Sequence, residues 1–197
     1  MSKPDVRALV ENITRVDDPE QKEAAEAALA RFALKAAPPE REEAVLALVA
    51  IGSSKDVQIC DQLFRDDGDG LAGRLLARLT DGAAPTADSL IEALRTGGVP
   101  GVPWIIATRV VADHGADAVP ALVTALESFP LPALDKEDWM LDESAKYYLI
   151  HALMDIGPAA VAAVPVLQAI STDEEAYRDS RWIAKRALAA IDPASRS

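Results

Sequence analysis

From Ala145 to Pro193 apolar stripes and polar stops follow one another as helix, glycine stop, helix, acidic turn, helix. Much of the upstream chain reads as weaker copies of that block. Val6, Leu9, Val10 and Ile13 fall at helical spacing and predict a helix over Pro4–Arg15, with Pro4 in its first turn. Asp17-Asp18-Pro19 caps a second, Pro19–Lys35, whose glutamates come early and whose Arg31 and Lys35 come late, as the helix dipole favours. Pro38-Pro39 breaks the chain before a third helix, Glu40–Ile51, stopped by Gly52.

Ser53-Ser54 can cap a fourth helix, Lys55–Arg65. A fifth covers Leu71–Thr80, and Pro85-Thr86 opens a sixth that runs to Leu94. Thr96-Gly97-Gly98-Val99-Pro100-Gly101 is the clearest break. Helices over Trp104–His114 and Ala118–Phe129 follow, the second with Pro120 in its first turn. His114 sits just before a stop and reads as a helix C-cap rather than a ligand. Phe129 to Ser144 is expected to be a long, partly apolar connection, of a kind that is often functional or partly structured. Asp66-Asp67-Gly68-Asp69-Gly70 is a polar turn: its acids miss the alternating calcium-loop positions and no glutamate closes it.

Glycines end helices at Gly52, Gly82, Gly115 and Gly157, with spacings of 30, 33 and 42 residues. The strongest internal match pairs His114–Leu122 with Ile156–Leu167, three residues longer in the second copy, each with Val-Pro near the start of the next helix. Helical pairs repeating at this period predict an all-α protein, an α-solenoid of about five stacked antiparallel pairs, since neither helix buries its stripe alone. The expected organisation is one domain over residues 1–197, with capping helices at 1–36, repeats at 37–193 and a frayed tail at 194–197.

The sequences Ala145–Gly157, Ser180–Asp192 and Glu40–Gly52 resemble the HEAT-repeat family, in particular short bacterial HEAT-like repeats first associated with phycobilisome lyases. The shared pattern is valine, arginine, two variable positions, two small residues, one variable position, Ala-Leu-Gly, one variable position and Ile-Gly. Ser180–Asp192 lacks the final glycine, and Trp104–Gly115 fits more loosely, with His114 in the isoleucine slot. The resemblance implies a HEAT-like superhelix whose variable positions line a concave, partner-binding groove. Carried over, these positions are Glu42, Glu43, Leu46 and Ala50; Ile105, Ile106, Arg109 and Asp113; Tyr147, Tyr148, His151 and Asp155; and Trp182, Ile183, Arg186 and Ala190.

Tyr147, His151 and Asp155 share a helix face at i, i+4 and i+8. Tyrosine, tryptophan and arginine are the residue types that dominate protein–protein hot spots. The expected partner-binding set is therefore Tyr147, Tyr148, His151, Asp155, Trp182, Arg186, Ile105 and Arg109. An acidic rim with aromatic anchors joins it: Asp135, Glu137, Asp138, Asp142 and Glu143 flank Trp139, and Asp173, Glu174, Glu175 and Asp179 flank Tyr177 in the next turn on that side. The plainer alternative turns Tyr148 and Ile183 into the core, leaves Trp182 capping an exposed end, and makes the acids solvated or helix-capping, with Asp173 an N-cap.

Composition narrows the chemistry. Half the residues are apolar but only 5% are aromatic, so the core is built from alanine and leucine and the helical reading is reinforced. A net charge of −12 repels a phosphate backbone, which argues against nucleic acid and suits a basic protein partner; solubility alone would also account for it. Cys60 is the only cysteine, so an intramolecular disulfide is impossible and no zinc site can rest on cysteines; Ile59 and Leu63 make it a buried hydrophobe. The N-terminus lacks an apolar signal core and no apolar run reaches membrane-span length, so a cytoplasmic protein is expected.

No catalytic, cofactor or metal constellation is expected, and His151 has no second histidine or cysteine at ligand spacing. The sequence thus points to a non-catalytic scaffold, monomeric on its own, gripping a basic partner protein. An immunity- or antitoxin-like inhibitor of a basic toxin or nuclease is the sharper alternative. A HEAT-like DNA glycosylase using Trp104, Trp182 and Asp113 lacks the lysine and arginine density DNA needs. A chromophore-attachment factor is suggested only by the family resemblance.

Overall fold

Local chemistry sets the helix ends. Asp18 accepts a hydrogen bond from the Glu20 backbone N–H at 3.0 Å, and Pro19 opens α1 (Pro19–Lys35). Arg41 of α2 (Glu40–Ile51) donates from Nε to the Ala36 carbonyl at 2.8 Å, satisfying an acceptor that α1 leaves open. The computed structural model describes residues 15, 18–37, 39–51, 62, 70–80, 82, 85–99, 102–129 and 139–192. Among them the chain is all-helical, with no strand. The predicted helices Pro4–Arg15 and Lys55–Arg65, Cys60 and the tail at 194–197 lie outside these residues or almost wholly so.

The chain divides into two compact units, Met1–Leu71 and Ala72–Ser197. In the first, α1 packs on α2. Leu29 and Ala33 of α1 and Ala44, Val45 and Leu48 of α2 are fully buried, a core of small and aliphatic side chains.

The second unit holds α3 (Leu71–Leu79), which begins at the boundary, α4 (Ala87–Arg95), α5 (Trp104–Asp113), α6 (Val119–Glu127), α7 (Trp139–Ile156), α8 (Val164–Thr172) and α9 (Arg178–Ile191). Thr86 caps α4 through its hydroxyl oxygen, which accepts from the Ser89 N–H at 3.2 Å. His114 is the C-cap of α5, as its place before Gly115 predicts. A 3-10 turn over Gly115–Ala118 then leads into α6, and a longer one over Gly157–Ala163 leads into α8. Both turns start at a glycine with positive φ, 59° and 67°, and both end at a Val-Pro helix start. The three additional residues in the second sequence copy therefore lie in its 3-10 turn, which bends at Ala160.

Packing within this unit falls into two series. Helices α5, α7 and α9 contact one another in succession, and α4, α6 and α8 form a second succession. Helix α7 lies between α5 and α9 and also meets α4 and α6. Its Leu149, Ile150, Ala152 and Leu153 are fully buried.

Three sequence expectations need correction here. Residues Trp139–Ser144 are the first turns of α7 rather than the end of a loop. No proline or glycine lies between Pro132 and Gly157 to prevent this, and Ser144 Oγ donates back to the Met140 carbonyl at 2.8 Å. Asp173 is the C-cap of α8, and its carboxylate accepts from the Glu175 N–H at 3.0 Å; α9 begins five residues later, after Tyr177. An acid ahead of a helix caps a turn instead when that turn intervenes. Finally, the helical stretch Met140–Thr172 is long and apolar enough, by length and composition, to cross a membrane. The run passes that test because the 3-10 turn joins α7 to α8; α7 is meanwhile the central core helix of its unit.

Candidate functional site

The aromatic residues collect where the first turns of α7 and α9 come together. Trp182 is 49% exposed and Tyr177 40%, whereas Tyr147 and Tyr148 are half-buried. Arg186, one turn along α9, places its guanidinium 4.8 Å from the centre of the Trp182 ring, a cation–π geometry. Tyr147 and Tyr148 meet edge to face at 5.4 Å, and Trp104 of α5 backs Tyr148 at 5.2 Å. Trp104 can lie there only because residue 98 is glycine: a Cβ at Gly98, whose φ is 91°, would sit 2.8 Å from the indole nitrogen.

Two clefts adjoin this cluster and share Tyr147 and Asp179. One, of about 350 Å³, is lined by the three tyrosines, Met140, Glu143 and Asp179 among others. The other, of about 540 Å³, is lined by Tyr147, Arg178, Asp179 and Trp182. Burial pushes the Tyr147 phenol above its ordinary pKa; Arg186 opposes the shift and Asp179 adds to it. The charges at the clefts are mixed, with Arg178 Nε 3.3 Å from Asp179 Oδ1 in an exposed pair.

Glu143 is not the solvated rim acid the sequence implies. It is 7% exposed and accepts from Ser180 Oγ at 2.6 Å and from Lys146 Nζ at 2.7 Å. The Ser180 bond ties α7 to α9 across 37 residues of sequence. Asp142 lies in the first turn of α7, half-buried. Trp139 is the first residue of that helix, and Asp135, Glu137 and Asp138 lie outside the described residues.

The apolar positions carried over on α5 also pack inward. Ile105 is 6% exposed and Ile106 is fully buried, because α5 is covered by α4 and α7. Ile183 is likewise in the core. Glu42 of α2 is 7% exposed, while Glu43 faces solvent.

His151, expected beside Tyr147 and Asp155, does lie there, but buried at 6%. Its ring centre is 6.2 Å from that of Tyr147. Its Nδ1 is 3.4 Å from Asp155 Oδ2 and outside hydrogen-bond geometry. Arg109 Nε bonds Asp113 Oδ1 at 3.0 Å, and its Nη1 stands 3.9 Å from Asp155 Oδ2, so these four residues form a polar seam between α5 and α7. The seam and the aromatic clefts meet at Tyr147, which lines both clefts and lies beside His151.

Ser180 borders the site without having been read from sequence as part of it, whereas Tyr177, an expected aromatic anchor of the acidic rim, lines the smaller cleft. Tyr177 stands next to the predicted acidic turn; Ser180 carries no sequence signal, since its partner Glu143 is remote. Among the described residues no group of three or more His, Cys, Asp and Glu side chains could hold a metal ion. No family model, curated protein or solved structure matches the chain.

Proposed function

We propose that this chain is a non-catalytic protein–protein interaction module, a HEAT-like α-solenoid that acts as a monomer in the cytoplasm and holds a basic partner protein against α7 and α9. The solenoid reading draws support from the two successions of helices in the second unit and from the repeated glycine, 3-10 turn and Val-Pro junctions. One observation carries the binding reading: Tyr147, Tyr177 and Trp182 line two adjoining clefts, and Arg186 lies over the Trp182 ring. Exposed aromatics rimmed by charge beside a concavity are what a hot-spot cluster requires. The site for this role is the C-terminal part of the expected partner-binding set, Tyr147, Tyr148, Trp182 and Arg186, rather than the buried Ile105. Against the glycosylase alternative, Trp104 packs on Tyr148 and Asp113 pairs with Arg109.

The test is affinity capture from the native cell with the wild-type chain and with Tyr147→Ala/Trp182→Ala. A partner retained by the wild type is expected to be lost by the double variant, whose helical circular dichroism stays unchanged. Equal recovery by both chains would overturn the binding site.

A further inference from the structure

We infer that the smaller cleft is a seat for a lysine side chain presented by the partner. The inference rests on the binding reading above and narrows it to one chemistry. Tyr147, Tyr148 and Tyr177 line a space of about 350 Å³, enough for one long side chain. Aromatic ring faces attract a cation, and the charged residues on the lining, Glu143 and Asp179, are both acids. Met140, 63% exposed, offers an apolar surface for the methylene stem. The chain's net charge of −12 adds a long-range pull on a basic segment.

The carboxylates decide between lysine and arginine. Each Glu143 oxygen already accepts one bond, Oε1 from Lys146 and Oε2 from Ser180. Asp179 Oδ1 faces Arg178. Neither carboxylate presents two oxygens free for the parallel bonds a guanidinium fork prefers. A carboxylate oxygen keeps a second lone pair after one bond, and an ammonium is a point charge that can use single acceptors.

The experiment is a titration of the full-length, isotopically labelled chain with three peptides on one glycine–serine frame. Their central residue is lysine, arginine or norleucine, and amide chemical shifts are followed. The lysine peptide is expected to shift amides in 143–148 and 177–182 in a saturable way, more tightly than the arginine peptide. Norleucine, which keeps the stem and drops the charge, is expected to leave them unmoved. Asp179→Asn, at an exposed position, is expected to weaken lysine binding roughly fivefold, as is Tyr177→Ala.

Shifts with norleucine equal to those with lysine would make the cleft merely apolar and overturn the inference. So would arginine binding as tightly as lysine, or no saturable response at about 10 mM peptide. If the peptides fail while Tyr147→Ala/Trp182→Ala still abolishes partner capture, the lysine seat falls and the binding reading stands. If the double variant keeps the partner, both fall.

Discussion

Helices α7 and α9 carry copies of one sequence pattern and meet different surroundings. Tyr147, Tyr148 and His151 of α7 correspond to Trp182, Ile183 and Arg186 of α9. Helix α7 has α5 on one side and α9 on the other, so His151 is buried and Tyr147 and Tyr148 are half-covered. Helix α9 packs on α7, on α8 and on the 3-10 turn before α8, and Trp182 and Arg186 are exposed. The same position in two copies of a sequence pattern therefore has no fixed burial. Its exposure depends on whether another helix lies alongside, and a large aromatic stays on the surface only where one does not.

The largest expected difference between the two helices is in stability. Leu149→Ala, at a fully buried position of α7, should cost about 2–5 kcal/mol in urea unfolding. Trp182→Ala on α9 should cost under about 1 kcal/mol, since it loses only half-exposed surface and the Arg186 contact. Equal costs would end the contrast between covered and uncovered copies.

Next in size is the tie between the two helices. Glu143→Ala leaves the Ser180 hydroxyl and the Lys146 ammonium without their acceptor and should destabilise by about 1–3 kcal/mol. In a double-mutant cycle Glu143→Ala and Ser180→Ala should couple by at least about 0.5 kcal/mol. Additive losses would mean the bond does not join α7 to α9.

A smaller effect of opposite sign is expected on the covered side of α7. The Thr108 hydroxyl of α5 is buried without a hydrogen-bond partner. Thr108→Val keeps the shape and removes that oxygen, so unfolding should become harder by about 1 kcal/mol. A loss of stability would show that the hydroxyl is satisfied in solution.

The smallest effect is on pH dependence. The folded state holds the Tyr147 proton more tightly than the unfolded chain does, so fewer protons are bound after unfolding as the phenol begins to titrate. The stability contributed by this group is full below about pH 10 and falls as the pH rises through the raised folded value. Tyr147→Phe should flatten that fall in thermal unfolding curves above about pH 9; parallel curves for the two chains would show the phenol to be solvated.

Much of the helical layout is legible in the residues. Asp18-Pro19 starts α1 and Thr86 starts α4, while His114-Gly115 and Gly157 stop α5 and α7, because capping and left-handed glycine are chemistry within a few residues. The three residues that lengthen the second repeat copy correctly foretell a longer junction. The start of α7 is less legible, since acids and a tryptophan suit either a loop or a first turn, and only the missing proline or glycine distinguishes them.

The sequence by itself determined an all-helical chain, with most of its described starts and stops, and brought the aromatic residues of α7 and α9 under notice. Only the tertiary structure decided which of them reach solvent, buried Glu143 against Ser180, and sent Ile105 and Ile183 inward while leaving Trp182 outside. The reason is one of range. A cap or a stop is settled by neighbours along the chain, whereas burial is settled by a helix whose sequence lies dozens of residues away.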